Sequence, residues 1–493
     1  MHVARQQMSL SFQSDGAIDW HSVRRPSSSC VSLCHNGSLV SSRRLIAFLF
    51  FCCVPVRFLT AQASDEEFRV YKEHPRLFLT QQRLRLLKRE RERDSLRWRQ
   101  LDALIKGAAQ MPEPGFAAAL YFAISGDAAQ GKRAIDWALG PGTDLRQLAL
   151  VYDWCQPLLN PQQSQTLDAK IRRIVAQMPA APPSLPAQRD RVLAVIATAD
   201  ENQHGEEKVL RPAVEQWWRA ELAPALTAGK TTIPLHELNA LIEILHAMRD
   251  TLKVEFEEAA PQYFRELPLY QLLGNYPAPL AGPENEYWVP VYKEASEPNL
   301  DLAALARAGD LSLVAYDNNA LENQYLQGWL MQDRFMLRSA FGAPYEFLWA
   351  NPYQPGLAYT QLPSFFHDKN SGVFFARASW DDDAIWFGLY EGEEQLFQDG
   401  KITVLTRGLA PSRSKPIQLG AVSIVPGADP LQFSLAGSTT LVIGLKPQRK
   451  YAVEIDDQEM REVQTDPAGT LALENPGGRT DAVRIHESGV PGG

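Results

Sequence analysis

The sequence predicts an α+β multidomain protein in which a helical half precedes an antiparallel β-sandwich. Apolar residues recur at helical spacing from about residue 75 to 345, whereas short runs of β-branched and aromatic residues follow Pro352. The chain has 493 residues, 45% of them hydrophobic, which is enough for two or more cores. We expect a helical domain over 64–350, a sandwich domain over 351–488 and a tail over 489–493.

The helical half shows both start signals and apolar stripes. Asn160 before Pro161 is typical of an N-cap followed by proline at the first helical position. Apolar residues then recur on one helix face over 167–178, and the pattern repeats over 238–252. Stretches rich in glycine and proline separate such segments. Short helices joined by brief loops indicate paired helices around a common centre.

The strand half is recognised by its many short β-rich runs. Turn signals such as Asp399-Gly400 and 475–478 separate them at roughly 8–12 residues, which is typical of an antiparallel sandwich. The predicted strands are 373–377, 384–389, 402–405, 422–425, 439–443, 451–455 and 483–485.

The first 63 residues are expected to be an export signal. Arg43-Arg44 precede an apolar run over 45–56 that is too short to span a bilayer, and Ala61-Gln62-Ala63 follows. This order predicts a signal peptide cleaved after Ala63 and a secreted or periplasmic protein. Because the basic pair lies unusually far from Met1, we expect the true translation start to lie downstream of Met1. The alternative is a cytoplasmic protein with a disordered tail.

Charge and cysteine content exclude several classes of partner. A formal net charge of −9 argues against a nucleic-acid-binding protein, and no later apolar run is long enough to span a membrane after signal removal. Four of the five cysteines lie in the segment expected to be removed, which leaves Cys155. One cysteine forms neither an internal disulfide nor a thiolate metal cage. We predict no cofactor and no metal-binding residues, and zinc or calcium binding stays open.

Three segments in order resemble the heparinase II/III-like polysaccharide lyases. They are His74-Pro-Arg-Leu-Phe-Leu-Thr80, Leu148-Ala-Leu-Val-Tyr-Asp-Trp154 and Gly372-Val-Phe-Phe-Ala-Arg-Ala-Ser-Trp-Asp-Asp-Asp-Ala384. The resemblance covers most of residues 74–410. It implies a secreted (α/α) toroid followed by an antiparallel β-sandwich, with a uronate-containing polysaccharide held in the cleft between them.

The residues that carry out catalysis in this family look altered here. Eliminating across a uronate needs a base for the C5 proton and a neutral or cationic donor for the carboxylate. In the family, a His-x-His-x-Asp-like run on the sandwich supplies histidine and, in some members, zinc. The matching positions here are Glu394, Leu396 and Gln398, and no two histidines in the chain are separated by one residue. The loop over 184–190, where the family has asparagine, offers none.

Two regions supply the remaining candidates. His236 is the acid/base group left where the family places a tyrosine-containing loop, and Tyr287 follows a stretch rich in proline and glycine. We therefore predict His236 and Tyr287 as catalytic residues. The same stretch supplies Glu284, Trp288 and Tyr292 as candidate substrate-binding residues, with Trp288 able to stack on a sugar face.

Two functions stay open from the sequence. One is lyase-type action on a uronate-containing polysaccharide with a rearranged or degenerate site. The other is a non-catalytic envelope protein that keeps the lyase scaffold and binds glycan. A hydrolase ranks third, because Glu284 and Glu286 are the carboxylates close in sequence among the candidates, and such neighbours rarely form a facing pair. The partner in either case is a polysaccharide, and the oligomeric state stays open.

Overall fold

The computed structural model describes residues 68, 70–200, 205–294, 298–405, 416–427, 430–435, 437–457, 459–475 and 481–488. The expected signal segment over 1–63 and the tail over 489–493 lie outside these residues, so export stays a prediction. Among the helices of the described part, none has the length and apolar character that a membrane crossing requires.

The described part of the helical half is built from α-helices joined by short loops. Between α8 and α9 the chain continues as a π-helical stretch, Ala213–Leu222. The helices are α1 (Gln81–Glu92), α2 (Leu96–Lys106), α3 (Pro114–Ser125), α4 (Ala128–Leu139), α5 (Leu145–Trp154), α6 (Pro161–Gln177), α7 (Leu185–Ala197), α8 (Glu207–Pro212), α9 (Ala223–Thr227), α10 (Leu238–Leu252), α11 (Pro261–Leu273), α12 (Leu300–Tyr316), α13 (Leu321–Leu330) and α14 (Ala343–Trp349).

The start signal at Asn160 acts as the sequence predicts. The Asn160 side chain accepts a hydrogen bond from the backbone N–H of Gln163 at 2.9 Å, and the Gln163 side chain accepts one from the Asn160 N–H at 3.1 Å. This capping box satisfies two amide donors that the first turn of a helix leaves unpaired. α10 occupies the second predicted stripe, 238–252.

Six helices contact one another in a closed cycle. In chain order α3 contacts α5, α5 contacts α7, α7 contacts α10, α10 contacts α12, α12 contacts α14, and α14 returns to α3. Other helices pack between neighbours in this cycle: α4 contacts α3 and α5, and α6 contacts α5 and α7. The core of the helical half includes Trp154, Trp218 and Trp349, each at most 3% exposed.

The strands fall into one short pair and three larger sheets. β1 and β2 pair within the helical half. The sheet orders after them are β3-β4-β5-β6-β7, β14-β11-β9-β8 and β10-β15-β12-β13. The strands are β1 (Leu280–Ala281), β2 (Glu286–Tyr287), β3 (Phe365–Asp368), β4 (Val373–Arg377), β5 (Trp386–Tyr390), β6 (Glu393–Gln398), β7 (Lys401–Leu405), β8 (Ile417–Leu419), β9 (Val422–Pro426), β10 (Leu431–Ser434), β11 (Thr439–Ile443), β12 (Lys450–Ile455), β13 (Glu459–Gln464), β14 (Leu471–Glu474) and β15 (Ala482–Glu487).

The strand half differs from the predicted antiparallel sandwich in two respects. The five-stranded sheet and the β14-β11-β9-β8 sheet enclose one apolar core, and the latter sheet encloses a second with β10-β15-β12-β13, so three sheets are stacked. β9 and β11 also pair in parallel. The middle sheet can be covered on both sides because β11 is apolar on both faces: Leu441 lies in the first core and Val442 in the second. A sheet buried on both sides reads as a continuous apolar run.

The five-stranded sheet packs against the helical half through the alternating side chains of β5. Phe387 and Leu389 lie in the core between the sheets, whereas Trp386 belongs to the helical core and its indole N–H donates to the carbonyl of Leu273 at 2.8 Å. Tyr276 donates its hydroxyl to Gln395 Oε1 at 2.7 Å. These buried contacts fix the sheet on the end of α11.

Candidate functional site

Tyr287 and Trp288, two of the predicted site residues, line one very small cavity. Tyr287 is 4% exposed, and burial raises the pKa of its phenol, against a hydrogen bond with Ser339 that lowers it. The Trp288 ring packs on Trp329 and on Phe335, with centroids 5.3 and 4.2 Å away. The cavity measures about 10 Å³, which is the space of about one water molecule. A sugar ring does not fit there.

The other predicted binding residues lie elsewhere. Glu284 is exposed ahead of β2 and is not among the residues lining that cavity. Tyr292 packs edge-on against Tyr276 at 5.9 Å, and its backbone carbonyl accepts a hydrogen bond from the side chain of Gln395 at 2.7 Å. Tyr292 therefore belongs to the contact between the helical half and β6.

His236 lies where the helical half meets the β5–β6 turn. It occupies the 3₁₀ turn Leu235–Glu237 just before α10 and is half-buried. Burial lowers its pKa, against the carboxylates of Glu237 and Glu391, which raise it. A lowered pKa leaves the imidazole neutral at pH 7 and able to accept a proton. A catalytic role for His236 stays a prediction, and this residue does not line the cavity of Tyr287.

β6 carries Glu394, Leu396 and Gln398, the positions that the resemblance predicted from the sequence aligns with a His-x-His-x-Asp-like run. Leu396 lies in the core between two sheets, so this position faces away from the helical half. The neighbouring residues Gln395 and Phe397 face the helices instead. The register of β6 therefore gives the helix-facing positions to a neutral amide and a phenyl ring rather than to an imidazole.

A cluster of charged side chains lies at the ends of several helices in the closed cycle. Its members come from the N-cap position of α3, from the first turns of α5 and α14, and from the second turns of α7 and α10. We call it the Arg146 cluster, and it comprises Glu113, Arg146, Arg189, Asp190, Glu243 and Tyr345.

Glu243 is the centre of this cluster. Arg146 donates to its two carboxylate oxygens from Nε and Nη2, at 2.9 and 2.6 Å, and Arg189 Nη1 lies 3.4 Å from Oε2. A third contact joins Arg146 Nη1 to Glu113 at 3.5 Å. The Arg146 guanidinium also lies over the Tyr345 ring, 5.0 Å from its centroid. The planar fork of arginine explains why this residue type holds a buried carboxylate.

The rim of the cluster reaches solvent. The side chains of Arg189, Asp190 and Glu113 are 13%, 21% and 21% exposed, whereas Arg146 and Glu243 are at most 1% exposed. These three side chains are therefore partly exposed, although the Oε2 atom of Glu113 is buried.

The carboxyl groups of the cluster differ in acidity. Burial raises the pKa of Glu113 and of Asp190, although the nearby arginines oppose the shift. Burial acts in the same direction on Glu243, but Arg146 and Arg189 outweigh it and hold the pKa of Glu243 below its usual range. Carboxyls whose environments separate their pKa values are typical of acid/base pairs. The cluster combines such groups with two cations.

Sequence reasoning missed this cluster although it examined one of its segments. The sequence predicts a loop without asparagine over 184–190, and this is wrong for 185–190: these residues form the start of α7, capped by Ser184, and the helix brings Arg189 and Asp190 to the cluster. A usable signal was present: Glu243 interrupts an apolar helix stripe, and a charge at a core position needs a partner. The partner itself, Arg146, lies 97 residues away in the chain.

Neither a metal site nor a known protein family helps to assign a function to the described residues. Within the described ranges, no group of three or more His, Cys, Asp and Glu side chains is arranged to hold a metal ion. No family model matches the chain, and no curated protein matches it.

Two solved structures of glycoside hydrolases are distant neighbours. One is described as a glycoside hydrolase, with 9% identity and a TM-score of 0.27 over 76% of this chain and 71% of the other. The second is a GH127 β-arabinofuranosidase, with 11% identity and a TM-score of 0.27 over 86% of this chain and 80% of the other. Neither is a heparinase II/III-like lyase, and similarity this low supports no statement about activity.

Proposed function

We propose that this protein is a secreted, heparinase II/III-like protein that cleaves uronate-containing glycans by elimination at the Arg146 cluster. The observation that carries the proposal is the convergence of Arg146 and Arg189 on Glu243, with two partly exposed carboxyls of raised pKa beside them. The closed cycle of helix contacts, followed by stacked sheets, supports an (α/α) toroid joined to a β-sandwich.

Each group has a role in the proposed reaction. The partly exposed Arg189 binds the uronate carboxylate and, with Arg146 behind it, stabilises the enolate that forms when C5 loses its proton. Glu113 accepts that proton, since a carboxylate of raised pKa is a stronger base than an ordinary one. The C4–O bond then breaks as the C4–C5 double bond forms, and Asp190 donates a proton to the leaving oxygen. Tyr345, hydrogen-bonded to Glu113, orients the base.

The test is the ultraviolet absorbance of unsaturated products after incubation with heparin, chondroitin and alginate. We expect absorbance to rise with at least one of them, and Arg189→Ala to lower the rate about 100-fold or more. Arg265→Ala, which changes an exposed arginine on α11, is the matched control and should leave the rate unchanged. No product from any of the three polymers would overturn the elimination.

Hydrolysis is a second candidate, and the presence of two carboxyls of raised pKa, Glu113 and Asp190, in one cluster favours it. Glycosidases use one protonated and one ionised carboxyl group on opposite sides of the bond that breaks. Hydrolysis generates reducing ends without ultraviolet absorbance and takes one oxygen from water. Incubation in ¹⁸O-labelled water with mass spectrometry therefore separates the two reactions: label in the product shows hydrolysis, and an unlabelled unsaturated product shows elimination.

Two further proposals from the sequence remain alternatives. His236 or Tyr287 could supply the base in place of Glu113, and the neutral imidazole of His236 supports the first of these. A protein that binds glycan without cleaving it is the other alternative. It predicts retention on a glycan array with no product, and loss of that retention in Arg189→Ala would place the binding at the Arg146 cluster.

A further inference from the structure

A larger cavity lies between α11, the loop after α9 and the β3–β4 hairpin. It has a volume of about 270 Å³ and is lined by residues of both halves of the chain. None of the Arg146 cluster residues line it. We call it the hairpin groove and define it by Thr232, Tyr263, Glu266, Tyr270, Phe366 and Lys369.

Aromatic rings form its inner wall. Tyr263 and Tyr270 are seven residues apart on α11 and therefore lie on one face of the helix. Phe366 of β3 meets the Tyr270 ring edge-on, with centroids 5.6 Å apart. Aromatic faces of this kind pack against the C–H face of a sugar ring, and their hydroxyl groups remain available for hydrogen bonds.

The Tyr270 hydroxyl is the polar group that points to a ligand. The residue is 9% exposed, and its oxygen is buried without a hydrogen-bond partner among the described residues. Leaving such a group unpaired costs about 1–3 kcal/mol. A ligand hydroxyl that reaches it recovers this cost, so the groove favours a polar ligand over a purely apolar one.

Charge at the groove excludes one class of sugar. Glu266 and Asp368 contribute two carboxylates against the single ammonium of Lys369. Gln262 donates to Glu266 one turn along α11, which keeps that carboxylate at the rim. An acidic sugar would therefore be repelled, whereas neutral hydroxyl and acetamido groups can donate hydrogen bonds to the carboxylates.

The groove is also held in shape by a close backbone approach. Gly229 has φ +62°, and a Cβ placed there would lie 2.4 Å from the carbonyl carbon of Asn370 in the hairpin. The Asn370 side chain donates to the carbonyl of Thr227 at 3.4 Å. Contact between these two loops fixes the outer wall before any ligand binds, and a pre-formed wall lowers the entropic cost of binding.

We propose that the hairpin groove binds a neutral saccharide unit, a hexose or an N-acetylhexosamine, with its ring against Tyr263 and a hydroxyl on Tyr270. The inference rests on the proposed function for the glycan class alone, because the two sites share no residue. The groove would hold a neutral unit of a glycan, whereas the Arg146 cluster acts on its uronate.

The test measures binding of three monosaccharides to the full chain by titration with NMR detection. Glucose, N-acetylglucosamine and glucuronate are the probes, at concentrations up to about 10 mM, because single sugar units bind in the millimolar range. We expect at least one neutral sugar to bind. Tyr270→Phe, which removes one oxygen, should weaken it about 5- to 10-fold, and Tyr263→Ala should weaken it further. Tyr325→Phe, on α13, is the matched control.

The outcomes separate this site from the proposed elimination. Arg189→Ala should abolish product formation yet leave neutral-sugar binding unchanged, which keeps failure of one proposal distinct from failure of the other. The groove proposal is overturned if neither neutral sugar binds. It is equally overturned if glucuronate binds more tightly than both, or if Tyr270→Phe and Tyr263→Ala bind as the unchanged chain does.

Discussion

Arg146 and Glu243 form a two-armed ion pair between α5 and α10 in which both side chains are at most 1% exposed. The pair joins two helices that do not contact each other as next neighbours in the cycle, since α7 lies between them. Removing one partner of such a pair leaves an uncompensated buried charge. A substitution of Arg146 or Glu243 is therefore expected to lower the stability of the fold, whatever its effect on the reaction.

We expect Glu243→Gln to lower the free energy of unfolding by about 3–5 kcal/mol, because Arg146 keeps its charge, loses its two-armed partner and retains only the 3.5 Å contact with Glu113. Glu207→Gln, which breaks a partly exposed pair with Arg211 on α8, is the control and should cost less than about 1 kcal/mol. Urea unfolding followed by circular dichroism measures both. Equal losses in the two variants would contradict the buried pairing.

The acidity of Glu113 sets the pH dependence of the proposed elimination. Because burial raises the pKa of Glu113, the carboxylate forms at a higher pH than an ordinary glutamate, and kcat/KM should rise with pH through that raised value. In Glu113→Gln we expect most of kcat/KM to be lost, and the value that remains should no longer fall at acidic pH. A profile whose acidic limb survives in Glu113→Gln would assign the base to another residue.

His236 and Tyr287 can be separated by the kind of loss each variant causes. Tyr287→Phe removes a hydroxyl in a cavity of about 10 Å³, so we expect it to lower stability by about 1 kcal/mol and leave the rate within about twofold. His236→Gln changes a half-buried imidazole beside Glu391 and is the sharper test of the alternative base. A fall in kcat of about 100-fold or more at unchanged stability would transfer that role to His236.

Glu257 gives the fold a stability that depends on pH near neutrality. Burial, together with the charges of Asp317 and Glu255, raises the pKa of Glu257 to about 7. A carboxyl whose folded pKa exceeds its unfolded value stabilises the fold while protonated, and this contribution is lost as pH rises through 7. We expect Glu257→Gln to raise the free energy of unfolding by about 1 kcal/mol at pH 8 and to have little effect at pH 5.

Thermal unfolding of the Glu257→Gln variant at the two pH values provides the measurement. Glu258→Gln, one residue along and exposed, is the control. A Glu257→Gln variant with the same Tm difference at both pH values would show that the carboxyl does not titrate between them.

Local signals in the sequence predict individual helices and strands. They miss features that depend on contacts between residues distant in the chain. Asn160 predicts its helix because a capping box needs four consecutive residues and no tertiary contact. β6 was not predicted, since its sequence Glu-Glu-Gln-Leu-Phe-Gln is polar at both ends and relies on β5 and β7 for pairing. The Arg146 cluster and the hairpin groove each join segments roughly 100 residues apart, which spacing along the chain does not reveal.

Gly229 tests whether the hairpin groove depends on close approach of its two loops. Gly229→Ala places a methyl group 2.4 Å from the backbone of Asn370 at a residue with φ +62°. The left-handed backbone alone costs a non-glycine residue about 1 kcal/mol, and displacement of the hairpin adds to it. Gly126→Ala is the matched control, because Gly126 also has positive φ, +77°, but a Cβ there meets nothing within 4 Å.

We expect Gly126→Ala to lower the free energy of unfolding by about 1 kcal/mol and Gly229→Ala by about 2–3 kcal/mol. The difference between the two variants isolates the steric contact from the backbone strain that both share. Since the contact holds the outer wall, Gly229→Ala should also weaken binding of the neutral sugar, whereas Gly126→Ala should not. Equal destabilisation with unchanged binding in both would mean that the hairpin moves freely, and the groove would then lack the fixed wall from which its specificity is argued.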